Sequence, residues 1–215
     1  MATPPNPTPI FRLVHVDNPE VLLKRGGLHA PNCTPNDGLP YRTIHNADIQ
    51  AERRVRPIPC GPQGTIHDYV SFYFGPRSPM LFQLKTGWVP GYTEGQGPLI
   101  YLVSSVQRVL AEGIAFVFSD GHGIAAYTDW YDSVADLERV DWQAVYARIW
   151  KSDVNDMDRQ RRKQAEFLVY RFCPWTLIEE MGVCNQTAKT KTEGILASFD
   201  VSLRRNVAVR PGRYY

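Results

Sequence analysis

The chain has 215 residues with 24 basic and 22 acidic side chains, so its formal net charge of +2 does not by itself identify a nucleic-acid-binding protein. A chain of this length can bury a hydrophobic core, and its cysteines (Cys33, Cys60, Cys173 and Cys184) form no CxxC pair, which argues against a zinc site and a secreted disulfide framework. No apolar run approaches the ~20 residues that cross a bilayer, and the Pro-rich start lacks a signal-peptide pattern. We therefore expect a cytoplasmic protein without membrane segments. From the cysteine spacing we also expect no bound metal.

The first third of the chain predicts a strand, a short helix, a long loop and a second strand. Apolar and β-branched residues from Pro9 to Val16 predict the first strand, and Asn18-Pro19 predicts a helix start with Asn18 as the cap. That helix, VLLKR, ends at Gly26-Gly27. Residues 28–64 are rich in Pro, Asn, Gly and Asp and predict a functional loop. The aromatic and β-branched residues from His67 to Phe74 predict the second strand.

The rest of the chain predicts short strands and helices without a regular βαβ alternation, which is the pattern of an α+β fold. The predicted strands are Leu99–Val103, Ala115–Phe118, Phe167–Phe172 and Val207–Arg210. The predicted helices are Ser104–Ala111, Trp142–Trp150, Thr176–Met181 and Thr187–Ala197. Because no internal repeat or domain boundary emerges, we predict a single domain over residues 1–215.

Glu166 is a candidate catalytic carboxylate, because sites are commonly built at strand ends. It lies between the basic, polar stretch RQRRKQA and the apolar strand FLVYRF, so it stands where a strand begins. The alternative is a surface salt bridge with Arg161 or Arg162. The motifs GxGxxG, GxxxxGK[ST], HExxH and GxSxG are all absent, so a Rossmann dinucleotide site, NTP hydrolysis, zinc proteolysis and an α/β-hydrolase nucleophile are all unsupported.

Three arginines cluster in the predicted loop, at Arg53, Arg54 and Arg56. Guanidinium groups bind a pyrophosphate through paired donors and stay charged at any relevant pH. The alternative for this cluster is a solvated charged turn.

Three further polar residues are candidates for ligand contacts. His15, at the end of the first strand, can hydrogen-bond a ribose hydroxyl or an amide, although a histidine on an apolar strand is often structural. Asn18 is also a candidate for a ligand contact, and the alternative is that it only caps the following helix. His122, in the Gly-flanked turn SDGHGIA, is expected to be exposed and mobile enough to contact a substrate, and its alternative is an ordinary polar turn residue.

Several segments together resemble the DarT family of DNA ADP-ribosyltransferase toxins. They occur in the family's order, and HDYVSFYFGPRSPML and RRKQAEFLVY are long enough to be specific. The C-terminal GRYY departs from the tryptophan expected before the tyrosines. The matching segments are LVHVDN at 13–18, ERR at 52–54, HDYVSFYFGPRSPML at 67–81, SDGHGIA at 119–125, RRKQAEFLVY at 161–170 and VRPGRYY at 209–215.

The resemblance implies an ADP-ribosyltransferase fold with central mixed and antiparallel sheets flanked by helices, and NAD+ as co-substrate. It implies that His15 and Asn18 hold the nicotinamide ribose and amide, and that Met80 lines the NAD+ pocket. Arg53 corresponds to the catalytic arginine, with the adjacent Arg54 as the other possible register.

Glu166 corresponds by the same resemblance to the catalytic glutamate, and His122 to a histidine near the target base. The polar segment from Lys151 to Arg162 corresponds to the loop that contacts substrate. Which of Glu166, Arg53 and His122 removes the base proton stays open. The basic side chains expected to contact DNA are Arg159, Arg161, Arg162, Arg204 and Arg205.

The implied function is that of a toxin that transfers ADP-ribose from NAD+ to thymidine in single-stranded DNA and blocks replication. A macrodomain antitoxin of the DarG type would remove the modification. The alternatives are transfer onto guanine, RNA or protein, and a non-catalytic nucleic-acid-binding module that has kept the fold.

Overall fold

The computed structural model describes residues 3–215 and is built around an eight-stranded sheet, as expected for an α+β fold. The strands are β1 (Pro9–His15), β2 (Gly27–His29), β3 (Tyr69–Tyr73), β4 (Leu99–Ser105), β5 (Phe116–Ser119), β6 (Trp130–Tyr131), β7 (Glu166–Tyr170), β8 (Phe172–Pro174), β9 (Glu180–Val183) and β10 (Asn206–Val209). The helices are α1 (Pro19–Lys24), α2 (Ala47–Val55), α3 (Pro79–Thr86), α4 (Val106–Ala111), α5 (Trp142–Tyr146), α6 (Arg159–Arg162) and α7 (Gln186–Ala197). None of the helices within residues 3–215 has the length and apolar character needed to cross a membrane.

The large sheet has the strand order β10-β9-β4-β1-β3-β7-β5-β6, and β2 pairs with β8 in a separate ribbon. All its neighbouring strands are antiparallel except β10 and β9. Strand β1 pairs with β4 along its whole length but with β3 at a single position, Phe11 opposite Tyr73. The sheet therefore consists of two halves that meet at one residue pair and diverge beyond it.

The alternation of side chains along β1 places apolar residues on both faces of the sheet. Ile10 and Val14 belong to the larger core, which also contains Trp175. Phe11 and Leu13 belong to the core on the other face, beneath α3. Because a strand alternates its side chains with period 2, the apolar residues on both faces of the run PIFRLVH predict a strand covered on both sides.

The predicted loop at residues 28–64 contains helix α2, so that part of the prediction is wrong. Asn46 caps this helix, since its side chain accepts hydrogen bonds from the N–H groups of Asp48 at 2.8 Å and Ile49 at 3.3 Å. Arg53 and Arg54 lie in the last turn, where cationic side chains are stabilised by the helix dipole. The arginine cluster therefore has helical spacing.

Two other helix predictions are wrong. The predicted helix Thr176–Met181 is limited to a short 3-10 helix at Trp175–Leu177, because residues 180–183 form β9 between β4 and β10 and supply the hydrogen bonds that both neighbours need. Asn18 precedes α1, but its side chain makes no capping hydrogen bond. The predicted strand Phe167–Phe172 is divided at Arg171, whose φ of 61° interrupts the extended backbone between β7 and β8.

Candidate active site

A cavity of about 400 Å³ opens where β1 and β3 diverge, with α2, α3 and the turn after β5 around it. Its volume lies within the range of small-molecule sites, ~300–1,000 Å³. Four of the residues singled out from sequence line this cavity: Arg53, Met80, His122 and Glu166. The fold thus brings together side chains that are up to 113 positions apart in the chain.

Glu166 and Arg53 form a buried, bidentate ion pair at the centre of the cavity. Nη1 of Arg53 donates to Oε1 of Glu166 at 2.9 Å, and Nη2 donates to Oε2 at 2.7 Å. Nη2 also donates to the hydroxyl of Ser71 on β3 at 2.7 Å. The two side chains are only 9% and 2% exposed. The alternative of a surface salt bridge from Glu166 to Arg161 or Arg162 is therefore wrong.

Both the backbone and the carboxylate of Glu166 form hydrogen bonds with the turn that follows β5. The N–H of Glu166 donates to the hydroxyl of Ser119 at 3.2 Å, and that hydroxyl donates to the carbonyl of Gly121 at 2.7 Å. The N–H of Gly123 donates to Oε1 of Glu166 at 3.2 Å. Burial opposes ionisation of Glu166, but the charge and hydrogen bonds of Arg53 outweigh it and hold the pKa of the carboxyl below its ordinary value. Glu166 is accordingly a carboxylate at neutral pH.

His122 lies at the tip of the same turn and is half-buried, where the sequence predicted an exposed and mobile side chain. Its backbone N–H donates to the carbonyl of Arg161 at 3.0 Å, and its carbonyl accepts from the hydroxyl of Thr128 at 2.7 Å. Burial lowers the pKa of His122 and the nearby Arg53 adds to that effect, although Glu166 opposes both. The imidazole is therefore neutral at pH 7 and able to accept a proton.

Arg161 braces this turn from outside the cavity. Its guanidinium binds Asp120 through two hydrogen bonds of 2.7 and 3.0 Å and Asp158 through two more of 2.7 Å each. It also lies 5.0 Å from the ring centroid of Tyr127. Gly121 leaves the space for this arrangement, because a Cβ there would stand 2.4 Å from Nη1 and 2.9 Å from Cγ of Arg161.

Gly121→Ala should therefore destabilise the protein by displacing Arg161. We expect its free energy of unfolding to fall by about 1–3 kcal/mol, the usual cost of an added methyl group in a packed site. Gly194→Ala is the matched control, since nothing lies within 4 Å of a Cβ at this exposed position of α7, and it should stabilise the helix by up to about 1 kcal/mol. Urea unfolding of both variants measures the difference, and equal stabilities would contradict the bracing role of Arg161.

His15 and Asn18 lie at the end of β1, next to the cavity but outside its lining. His15 is 1% exposed, and its Nδ1 accepts from the N–H of Asp17 at 3.2 Å. Burial lowers its pKa despite the neighbouring Asp17, so the ring is neutral at pH 7. Asn18 donates to the carbonyl of Arg42 and accepts from its N–H, both at 2.8 Å. Asn18 thus holds the segment that leads to His45 of the cavity lining.

The other predicted arginines do not line the cavity. Arg54 is exposed on α2. Arg159 binds Asp156, and Arg162 binds Asp141 and Asp156, so α6 is held by ion pairs within the protein.

Arg204 and Arg205 lie at the end of α7 and beside Trp175. Arg204 donates to the carbonyls of Ala197 at 3.0 Å and Phe199 at 3.1 Å. The guanidinium of Arg205 lies 5.8 Å from the ring centroid of Trp175, which belongs to the core on the Ile10–Val14 face. The structure does not bring these two arginines to the cavity.

Sequence reasoning missed two residues that hold the cavity together, Ser71 and Arg12. Ser71 orients Arg53, and Nη1 of Arg12 donates to the carbonyl of Ser71 at 2.8 Å, which bridges the gap between the diverging strands. The sequence could have indicated both residues. Arg12 is the one charged residue in the mostly apolar strand PIFRLVH, and Ser71 is the one small polar residue in the strand YVSFY. Polar residues inside such strands require partners and are candidates for a site.

Comparison with known proteins gives a consistent result over the whole chain. The family described as ssDNA thymidine ADP-ribosyltransferase, DarT, matches residues 11–215. A protein of Thermus sp. 2.9 named DNA ADP-ribosyl transferase is 40% identical over 213 residues, which cover 99% of each chain.

Two solved structures from the same Thermus strain share the fold. The structure of Thermus sp. 2.9 DarT in complex with ADP-ribosylated ssDNA matches with a TM-score of 0.93 and 39% identity, over 100% of this chain and 99% of the other. The complex of that protein with NAD+ matches with a TM-score of 0.88 and 38% identity, over 99% and 100% of the two chains. The chain described here belongs to the DarT family.

Proposed function

We propose that this protein transfers ADP-ribose from NAD+ to thymidine bases in single-stranded DNA. The observation that carries the proposal is the buried Arg53–Glu166 pair in the cavity between the diverging strands, in a chain 39% identical to a DarT that was solved with ADP-ribosylated ssDNA. The family description names thymidine, and a second Thermus structure contains NAD+.

The residues around the cavity fit a dinucleotide. The lining combines apolar and aromatic side chains such as Phe11, Met80 and Val89 with polar groups such as Gln50 and Gln160. This mixture suits a ligand with two ring systems joined by sugars and phosphates. We assign Met80 to the apolar wall and Arg53 to the charged centre of the NAD+ site.

Glu166 would stabilise the charge that develops during transfer. When bound, NAD+ supplies the ADP-ribosyl group, and cleavage of its ribose–nicotinamide bond releases neutral nicotinamide with the bonding electrons. The ribose then carries positive charge. The ionised carboxylate of Glu166, held in place by Arg53 and Gly123, provides a negative charge that needs no reorganisation.

We assign the proton acceptor to His122. The thymine ring nitrogen forms the new bond to the ribose carbon and loses its proton in the same step. Both oxygens of Glu166 accept hydrogen bonds from Arg53, whereas the imidazole of His122 is neutral and lines the cavity. His122 is therefore the better base, and Arg53 would supply positive charge to stabilise the developing anion.

The pH dependence of kcat/KM should identify His122. Because its pKa lies below the ordinary 6.5, kcat/KM should stay level from pH 8 to about 6.5 and fall only in more acidic solution, as the ring gains a proton. Glu166 titrates below its ordinary 4.5 and should not contribute in this range. His122→Gln should lower the plateau roughly 10²-fold or more and remove this acidic decline. A decline that persists in the variant would exclude His122 as the base.

The cellular role that we propose is that of a cytoplasmic toxin. A bulky ADP-ribose on template bases would block DNA replication, so the cell needs a means of reversal. We propose a macrodomain antitoxin of the DarG type as the partner that removes the modification. The resemblance to the DarT family and the chemistry of the product support both proposals.

One experiment tests the transfer and its acceptor together. The protein is incubated with labelled NAD+ and four single-stranded oligonucleotides, each lacking one of the four bases. We expect labelling of every strand except the one without thymine. Labelling lost only from the strand without guanine would favour guanine as acceptor, and no labelling of any strand would favour RNA, protein or a non-catalytic module.

The protein should modify a single strand and ignore the same sequence in a stable duplex. In a duplex the thymine N–H is paired with adenine, and extruding the base costs a few kcal/mol. A net charge of +2 offers little electrostatic free energy for distorting a duplex. Titration of a complementary strand into the labelling reaction at fixed salt should abolish incorporation. Labelling that persists once the target is fully paired would refute the requirement for a single strand.

A further inference from the structure

An aromatic cluster of Phe82, Trp88, Trp150 and Tyr215 lies on the surface beside the cavity. Phe82 on α3 packs edge-on against each of the other three rings, with centroid distances of 5.7, 5.7 and 5.4 Å. Trp88 is nevertheless 68% exposed. An exposed tryptophan supported from behind by other rings is a feature of binding surfaces, since its apolar face is left without a partner.

The aromatic cluster is held in place by hydrogen bonds to the backbone and between its own side chains. Helix α3 ends at Gly87, which has a left-handed backbone conformation with φ of 76°. The N–H of the next residue, Trp88, donates to the carbonyl of Gln83 at 2.9 Å. The indole N–H of Trp150 donates to the hydroxyl of Tyr215, which in turn donates to the carbonyl of Arg77. A ligand that stacks on Trp88 therefore meets a surface that is already ordered, which reduces the entropic cost of binding.

Helix α3 connects the aromatic cluster to the cavity. Met80 and Gln83, one helical turn apart, line the cavity, and so does Val89, the residue that follows Trp88. Trp88 thus stands at the rim of the site that we assign to NAD+ and the target base.

The two segments that contribute Phe82, Trp88 and Trp150 to the aromatic cluster carry only basic charges. Residues 76–93 and 142–152 contain four basic side chains and no acidic one, whereas the rest of the chain has 20 basic and 22 acidic side chains. Lys85, Arg148 and Lys151 are exposed, and none of them forms a salt bridge within the part of the chain that the structure describes. Nζ of Lys85 lies 5.9 Å from the ring centroid of Tyr215. Unpaired cations beside an exposed aromatic face match the two parts of a nucleotide, a phosphate and a flat base.

We propose that Trp88 stacks on a base of the single strand that flanks the target base, with Lys85 and Lys151 near its phosphates. This inference rests on the proposed function and adds a binding site to it. We assign a nucleic acid to this surface for two reasons. Its lysines form no salt bridges and can bind phosphates, and helix α3 connects it to the cavity that must receive the target base. Such stacking tolerates any base, so the site would contribute affinity more than sequence preference.

Trp88→Ala should raise KM for an oligothymidylate about 5-fold or more, the range expected for loss of one stacked base. KM for NAD+, kcat at saturating DNA and the melting temperature should stay unchanged. Trp88→Phe should restore most of the affinity, because it keeps an aromatic face. Val201→Ala is the surface control, since Val201 is 75% exposed and does not line the cavity.

An oligonucleotide with abasic sites on both sides of a single thymine completes the test. The wild-type protein should bind it as weakly as Trp88→Ala binds the intact strand, and the variant should bind the intact and abasic strands equally, since the two changes remove the same interaction. An unchanged KM in Trp88→Ala, or equal sensitivity of both proteins to the abasic sites, would overturn the stacking inference.

Failure of the proposed function is distinguishable from failure of this inference. If the wild-type protein labels no DNA, transfer is refuted. Quenching of tryptophan fluorescence by the oligothymidylate, compared between the wild type and Trp88→Phe, then still measures stacking directly. Quenching of equal size in both proteins would overturn the inference by itself.

Discussion

Glu166→Gln is expected to lower the rate of ADP-ribose transfer roughly 10²-fold or more, the usual effect of removing one preorganised electrostatic group. The substitution preserves the size of the side chain but removes the charge that would stabilise the ribose in the transition state. KM for NAD+ should change far less than kcat, because the lost interaction forms only in the transition state. Single-turnover labelling of a thymidine-containing strand measures this rate.

Stability must be followed in the same variant, because Glu166 also belongs to a buried ion pair. Removing one partner of such a pair leaves an uncompensated charge on the other and costs about 3–5 kcal/mol, less where the replacement keeps a hydrogen bond. Glu180→Gln is the matched control. Glu180 binds Arg210 and Arg213, is 15% exposed and lies outside the cavity lining. This variant should lose stability without loss of kcat, and a similar loss of kcat in both variants would assign the effect of Glu166 to folding.

Arg53→Ala should reduce turnover far more than Arg54→Ala, although the two arginines are neighbours. Arg53 is buried against Glu166, and its removal would leave a buried carboxylate unpaired, so we expect a loss of about 3–5 kcal/mol of stability and most of the activity. Arg54 is exposed, and its substitution should change stability by no more than about 0.5 kcal/mol. Steady-state labelling and urea unfolding of the two variants provide the comparison.

The double variant Arg53→Ala with Glu166→Gln separates the two roles of the pair. It should recover part of the stability lost in Arg53→Ala, because no unpaired charge remains, while activity stays absent. Higher activity in Arg53→Ala than in Arg54→Ala would show that the catalytic arginine had been assigned to the wrong residue.

The sequence by itself determined the strands that frame the site and the position of its carboxylate. The apolar runs at β1, β3 and β7 predicted those strands to within a few residues, because burial on both faces demands continuous hydrophobicity. Glu166 stood out because it opens one of these runs. The matching segments of the DarT family supplied the fold and the chemistry expected of it.

The tertiary structure alone decided which polar groups meet. Glu166 pairs with Arg53, 113 positions away, and not with Arg161 or Arg162 nearby. On helix α2 successive residues point about 100° apart, so Arg53 faces the cavity and Arg54 faces solvent. A pattern of residue types carries no information on that choice, because it depends on how the helix packs against strands distant in the chain. For the same reason the predicted helix Thr176–Met181 extends wrongly into β9, whose extended form is imposed by hydrogen bonds to β4 and β10.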